Sequence, residues 1–138
     1  MLIERLLILA GLLVLGALLL IGCRLWQVCR LRRLAAVSAP VGLEVDLPPG
    51  PALLYFTTPT CTQCRLQQTP ILADFTQQTH VAVHTVDAVE AEGLVRFLGI
   101  MTVPTTVWVD QERRPLAINH GLTPLAQLRR QALEFGLH

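Results

Sequence analysis

Residues 52–64 read ALLYFTTPTCTQC and place two cysteines directly after an apolar run. The run at 52–56 predicts a buried strand, and residues 57–60 predict a loop in which Thr60 is the N-cap of the next helix. A C-x-x-C pair on a first helical turn lies on one face, and the free N–H groups and helix dipole there favour a thiolate at Cys61. A reactive thiolate beside a second, resolving thiol at Cys64 is the minimum that disulfide exchange requires.

The chain after residue 40 alternates between predicted strands and helices, which favours parallel pairing of its first strands. No internal repeat or low-complexity tract interrupts this order of β-β-α-β-α-β-β-α. The predicted strands are an edge strand within 41–47 and strands at 52–56, 81–87, 105–109 and 116–119. The predicted helices run from Cys61 to about Gln78, with a bend at Pro70, and over about 90–98, where Gly99 ends the helix. A last helix follows the final strand. In that last helix, Leu125, Leu128, Ala132 and Leu133 are expected to share the buried face.

The N-terminal third of the chain explains its unusual composition. Hydrophobic residues make up 52% of the sequence and charged residues only 15%, and residues 6–23 carry no charge at all. A helix over this run would be about 27 Å long, close to the roughly 30 Å of a bilayer's hydrocarbon core. We therefore divide the chain into a short tail at 1–5, a transmembrane helix at 6–23, a basic juxtamembrane helix and linker at 24–42 and a domain at 43–138. Disorder, collagen and coiled coil are excluded by the composition.

Charge is distributed unevenly along the sequence. Residues 1–39 have five arginines and one glutamate, a net charge of +4, whereas residues 40–138 have six arginines and nine acidic residues, a net charge of −3. This acidic domain lacks the basic surface that binds phosphates, so nucleic acid is not expected as a partner. The basic residues that follow the apolar run predict contact with anionic lipid headgroups and a domain on the cytoplasmic face. These residues are Arg24, Arg30, Arg32 and Arg33.

The apolar run is expected to be an uncleaved anchor in the cell membrane of a bacterial-type cell, and it has two other interpretations. A removable signal peptide would be followed by an A-x-A-like site, which the sequence lacks. Residues 20–23, Leu-Ile-Gly-Cys, resemble the lipobox at which bacterial lipoproteins are lipidated on the cysteine, here Cys23. The apolar residues and Trp26 that interleave with the arginines instead predict that the helix continues, with Cys23 and Cys29 as helix-borne thiols. An exported domain remains the alternative orientation.

A structural zinc site is the competing explanation for the cysteine pair. It would need two further ligands, and Cys23 and Cys29 are expected at the membrane. The histidines occur singly, so each is expected on the surface or packed against a strand, and no metal is predicted. They are His80, His84, His120 and His138.

Over about residues 43–137 the sequence resembles the thioredoxin superfamily. The resemblance is carried by the strand before Thr-Pro-Thr-Cys-Thr-Gln-Cys, the proline-bent helix, and Val103-Pro104-Thr105 ahead of a strand hairpin and closing helix. The expected fold is α/β and thioredoxin-like, a central mixed sheet flanked by helices, preceded by one transmembrane helix. The resemblance also implies a cis Pro104 that faces the cysteine pair, with Val103, Pro104 and Thr60 next to the bound substrate segment.

The sequence departs from thioredoxins proper at four places around the pair. Tyr55 stands where they carry a buried aspartate that assists proton transfer, and Thr60 replaces a tryptophan. Residues 62–63, Thr-Gln, replace the Gly-Pro dipeptide that tunes the redox potential, so the direction of electron flow stays open. Pro70 follows Cys64 by six residues instead of five, which indicates a divergent branch.

The function predicted from these features is a membrane-tethered thiol–disulfide oxidoreductase that needs no organic cofactor. Cys61 is the expected nucleophile and Cys64 the resolving thiol. The expected partners are protein thiols or disulfides, an electron-donor reductase or thiol partner, and the lipid bilayer. The alternative is a non-catalytic thioredoxin-like adaptor that holds a membrane partner.

Overall fold

The computed structural model describes residues 2–36 and 50–137. These fall into two compact units, one that ends at Arg33 and one that begins at Leu34. Helix α1, Leu2–Ala36, makes up the first unit and extends three residues past its boundary. By length and composition, its segment Leu7–Cys29 could cross a membrane, since its 23 residues have a mean hydropathy of 2.4 and none of them is buried in the protein. The edge strand predicted within 41–47 lies outside the described residues.

The second unit is built on a four-stranded mixed sheet with the order β2-β1-β3-β4. The central strand β1 is parallel to β2 and antiparallel to β3, and β3 and β4 form an antiparallel hairpin. The strands are β1, Ala52–Thr57; β2, Ala82–Asp87; β3, Thr105–Val109; and β4, Pro115–His120. This arrangement confirms the mixed sheet flanked by helices that the sequence predicts.

Between residues 50 and 137, three α-helices and a short π-helical segment accompany the sheet. The π segment covers Cys64–Gln68 and runs directly into α2; the helices are α2, Thr69–Thr79; α3, Glu92–Leu98; and α4, Leu125–Glu134. Helix α3 ends at Gly99, as predicted, in the left-handed conformation that glycine adopts without steric cost.

The irregularity in the helix after the cysteines lies before Pro70 and not at it. Pro70 is the second residue of α2. The wide turn is the preceding π segment, closed by a bond from the Thr69 N–H to the Cys64 carbonyl. A π turn contains one more residue than an α turn. The segment therefore accommodates the six-residue spacing from Cys64 to Pro70.

The core consists of two apolar layers, one on each face of the sheet. Because side chains alternate along a strand, Leu54 and Phe56 of β1 pack on the α3 side, while Leu53 and Tyr55 pack on the side of α2 and α4. Trp108 lies at the centre of the second layer. Its ring makes edge contacts with Phe75 and Phe135, at centroid distances of 5.9 and 5.6 Å.

The prediction for the buried face of α4 was wrong at one position. Leu128 and Ala132 are buried, whereas the Leu133 side chain is 69% exposed. Successive residues of an α-helix are about 100° apart, so the residue after Ala132 points away from the core.

Candidate active site

The two cysteines lie at the end of β1, where the chain turns into the helical segment. The Cys61 N–H donates to the Thr58 carbonyl at 3.1 Å and closes this turn. Cys61 and Cys64 form a disulfide with their Cα atoms 5.3 Å apart. The pair therefore occupies the start of the helical segment, where the sequence predicts it.

The helical segment is capped by Cys61 and not, as predicted, by Thr60. The Cys61 carbonyl accepts the first helical bond, from the Arg65 N–H at 3.2 Å, which defines the N-cap. The Cys61 Sγ in turn accepts from the Cys64 N–H at 3.1 Å, as the oxygen of a capping serine would. The side chain of Thr60 is exposed and has no hydrogen bond within the part of the chain that the structure describes.

The two cysteines differ in their access to solvent. Cys61 is partly exposed, whereas Cys64 is 1% exposed and belongs to the apolar layer that also contains Tyr55 and Trp108. The described residues place no acidic side chain in the first turn of this segment, and its charged residue is Arg65. Helical N–H groups favour a thiolate at the partly exposed position, Cys61.

The loop before β3 approaches the same apolar layer. Its Val103–Pro104 bond is cis, and Pro104 is buried. Val103 packs against the layers on both faces of the sheet, including the one that holds Cys61 and Cys64. A hydrogen bond from the Thr105 Oγ1 to the Thr102 carbonyl, 2.7 Å long, fastens the loop. The structure thus brings Val103 and the cysteine pair to one layer and leaves Thr60 on the surface.

An apolar groove of about 280 Å³ begins beside this loop. Thr58 and Val103 line one end of it, and the strongly exposed side chains of Val89 and Met101 also line it. Exposed apolar side chains around a groove are typical of a binding surface.

Sequence reasoning did not identify two groups of contacts that hold the segment after Cys61. In the first, the Tyr55 hydroxyl lies 3.3 Å from the Thr69 Oγ1, which donates to the Cys64 carbonyl at 3.0 Å. Both hydroxyls line a cavity of about 390 Å³. In the second, the buried Gln68 side chain binds the backbone of Thr123. The available signal for Gln68 was its spacing, four residues after one core residue, Cys64, and four before another, Leu72.

Metal ligands are not grouped in the described residues, which contain no cluster of three or more histidine, cysteine or acidic side chains. The four histidines predicted to be single include His84, whose Nε2 is buried without a hydrogen-bond partner there. His138 lies outside the described residues.

Known proteins of similar structure are thioredoxins. Thioredoxin-2 of the malaria parasite is 19% identical, with a TM-score of 0.55, over 61% of this chain and 82% of that one. A mutant thioredoxin from Halobacterium salinarum is 24% identical, with a TM-score of 0.56, over 62% and 74%. Thioredoxin O2 from Arabidopsis thaliana in the oxidised state is 20% identical, with a TM-score of 0.52, over 77% and 83%. These similarities establish the thioredoxin-like fold.

Sequence comparison defines the family more narrowly. No curated protein matches the chain. The model of the family described as TraF, F plasmid transfer operon protein, matches residues 50–133, which is more than half of the chain and extends from before β1 into the last turn of α4. The chain therefore belongs to the TraF family and has a thioredoxin-like fold.

Proposed function

We propose that the chain is a membrane-tethered thiol–disulfide oxidoreductase that exchanges disulfides with protein substrates. The observation that carries this proposal is the asymmetry of the cysteine pair: a partly exposed cysteine at the start of a helical segment is joined to a buried one. A structural disulfide gains nothing from such an asymmetry, whereas disulfide exchange requires one accessible and one protected sulfur.

The first step is attack by Cys61. In the reduced pair, its thiolate accepts the Cys64 N–H that the sulfur accepts in the disulfide, and a hydrogen bond to a charged acceptor is about twice as strong as a neutral one. The thiolate attacks one sulfur of a substrate disulfide. A mixed disulfide to Cys61 forms, and the other substrate sulfur leaves as a thiolate that takes up a proton from solvent.

The second step is resolution by Cys64. Its thiol loses a proton to solvent or to the departing sulfur, and the thiolate attacks Cys61 Sγ. The Cys61–Cys64 disulfide forms, and the remaining substrate sulfur leaves as a thiolate. Two electrons have passed from the pair to the substrate, and the reverse sequence oxidises a dithiol. Electrons move only between sulfur atoms, so no organic cofactor takes part.

Substrate binding is assigned to the surface around Cys61. We expect an extended segment of the substrate to lie along Val103 and Pro104, with Thr60 at its edge. The exposed side chains of Met101 and Val89 favour an apolar residue next to the substrate cysteine.

Helix α1 is the proposed tether, and the bilayer is its partner. The basic residues after the apolar segment favour a domain on the cytoplasmic face. In that compartment the pair would chiefly reduce its substrates, and a reductase or thiol partner would supply the electrons.

An insulin-reduction assay tests the proposal on the full chain in detergent micelles with dithiothreitol as electron donor. We expect turnover that Cys61→Ser abolishes and that the double variant Cys23→Ser, Cys29→Ser leaves unchanged, because the latter thiols lie on α1. A folded wild-type chain without turnover would contradict the proposal and favour the non-catalytic adaptor.

A further inference from the structure

Gln68 is a polar residue on the apolar face of the helix that carries Cys64. Its side chain is 0% exposed, and the neighbours on this face, Cys64, Leu72 and Phe75, are buried as well. Burial of an amide in an apolar layer is unfavourable unless its hydrogen bonds to water are replaced. The contacts of Gln68 therefore need an explanation beyond the packing of the helix.

Both ends of this amide bind the backbone of one residue, Thr123. The Gln68 Nε2 donates to the Thr123 carbonyl at 3.2 Å, and the Thr123 N–H donates to the Gln68 Oε1 at 2.7 Å. The two residues are 55 positions apart in the chain. This pair of bonds connects the segment that begins at Cys64 with the loop that precedes α4.

The connection continues to the strand that follows Pro104. The Thr123 Oγ1 lies 3.4 Å from the Thr106 Oγ1, within hydrogen-bond distance. The Asn119 Nδ2 donates to the same Thr106 oxygen at 3.1 Å. Thr106 is the second residue of β3 and is fully buried. A network of buried hydrogen bonds thus connects the helix of the cysteine pair to β3, the strand that follows the loop on which substrate binding is proposed. Such networks hold a single geometry when every member is satisfied.

We propose that Gln68 is a positioning residue that sets the redox equilibrium of the Cys61–Cys64 pair. Gln68 is the last residue of the π segment, and its side chain fixes that end to Thr123. At the other end, the Thr69 N–H and Oγ1 both donate to the carbonyl of the first residue, Cys64. The segment is therefore held at both ends, and the Cys64 N–H is kept directed at Cys61 Sγ. A fixed donor stabilises the Cys61 thiolate more than the neutral disulfide sulfur, so Gln68 favours the dithiol form.

The redox equilibrium with glutathione measures this effect directly. In the balanced reaction, the dithiol and one oxidised glutathione give the Cys61–Cys64 disulfide and two reduced glutathiones. A residue that stabilises both redox forms equally changes the melting temperature but not this equilibrium constant. The effect of Gln68 on the equilibrium can be measured without a protein substrate, because glutathione is the reaction partner. Only the physiological role of this effect rests on the proposed function.

The experiment compares Gln68→Leu and Gln68→Met with Gln67→Leu in the full chain in detergent micelles. Gln67 is an exposed glutamine in the same π segment and serves as the matched control. At a pH above the Cys61 pKa of every variant, we expect the equilibrium constant of both Gln68 variants to move about tenfold toward the disulfide. The pKa of the Cys61 thiol should rise by about one unit. The control should match the wild type in both quantities. Wild-type values in the folded Gln68 variants, whatever their melting temperatures, would overturn the assignment.

Amide hydrogen exchange on the unmodified chain tests the same inference if neither variant folds. The inference requires the Cys64 and Thr123 amides of the reduced chain to be protected and to open together, because one side chain holds both segments. Rapid exchange at Cys64 while Thr123 stays protected would overturn it. Failure of the insulin assay, by contrast, would contradict the proposed function and leave this result intact.

Discussion

Replacement of Thr69 by valine should loosen the segment after Cys64 without a change in side-chain shape. The hydroxyl donates to the Cys64 carbonyl and lies within hydrogen-bond distance of the Tyr55 hydroxyl. A hydrogen bond contributes roughly 0.5–1.5 kcal/mol to stability. Because the Cys64 carbonyl keeps its bond from the Thr69 N–H, loss of the hydroxyl bond should cost an amount at the low end of this range. Tyr55 is buried and loses its partner, which costs about 1–3 kcal/mol, reduced here because the neighbouring cavity can admit water.

The expected loss in the free energy of unfolding is therefore about 1–2 kcal/mol, or roughly 4–8 °C in melting temperature for each kcal/mol in a domain of this size. Thermal unfolding of the full chain in detergent, followed by near-ultraviolet circular dichroism, measures it. Thr76→Val is the matched control, because the Thr76 Oγ1 donates to the Leu72 carbonyl on the same helix and lines the same cavity. Thr76→Val should lower the free energy of unfolding by no more than about 0.5 kcal/mol.

A double-mutant cycle assigns the effect to the pair of hydroxyls. Tyr55→Phe combined with Thr69→Val should cost about 1 kcal/mol less than the sum of the single variants, because each removes the same contact. Strictly additive effects, or a Thr69→Val variant as stable as Thr76→Val, would refute the role given to this contact.

Three further predictions concern orientation, stability and reactivity. A fluorescent protein fused after His138 should fluoresce, and alkaline phosphatase fused there should be inactive, whereas an active phosphatase would place the domain outside. Trp108→Phe should lower the free energy of unfolding by about 1–3 kcal/mol, because it leaves a void between two aromatic rings and removes the 2.9 Å bond from the Nε1 to Gln131; a loss below 0.5 kcal/mol in a thermal melt would contradict this. Alkylation at graded pH should give Cys61 a pKa below the roughly 8.5 of a free thiol, and an unshifted value would count against thiolate stabilisation.

Local sequence patterns predict most of the sheet. The strand predicted at 105–109 has the bounds of β3, and the strands predicted at 52–56 and 81–87 differ from β1 and β2 by one residue at one end. Runs of apolar and β-branched residues bounded by turn residues are determined by neighbours along the chain. The same holds for Gly99, where the left-handed end of a helix favours glycine.

The details of the site depend on contacts that local patterns do not encode. Local patterns attribute the bend to Pro70 and do not predict the π segment, although the long spacing from Cys64 to Pro70 is the sequence feature that corresponds to it. Thr60 was predicted as the cap because threonine is a better capping residue than cysteine; the turn closed at the Thr58 carbonyl instead leaves Cys61 in that position. The partner of Gln68 is 55 residues away in the chain, and hydrophobic periodicity relates only residues that are close in sequence.

The capture of mixed disulfides by single-cysteine variants tests the central claim most directly. Because the resolving thiol is buried and the attacking sulfur is accessible, a full chain with Cys64→Ser should accumulate covalent complexes with substrate proteins through Cys61. The Cys61→Ser chain should accumulate almost none. Each variant is expressed in cells, the cells are quenched with acid to stop thiol exchange, and the covalent complexes are separated on non-reducing gels. Complexes that disappear with reductant and occur only in Cys64→Ser are the predicted result, and equal capture by both variants, or by neither, would contradict it.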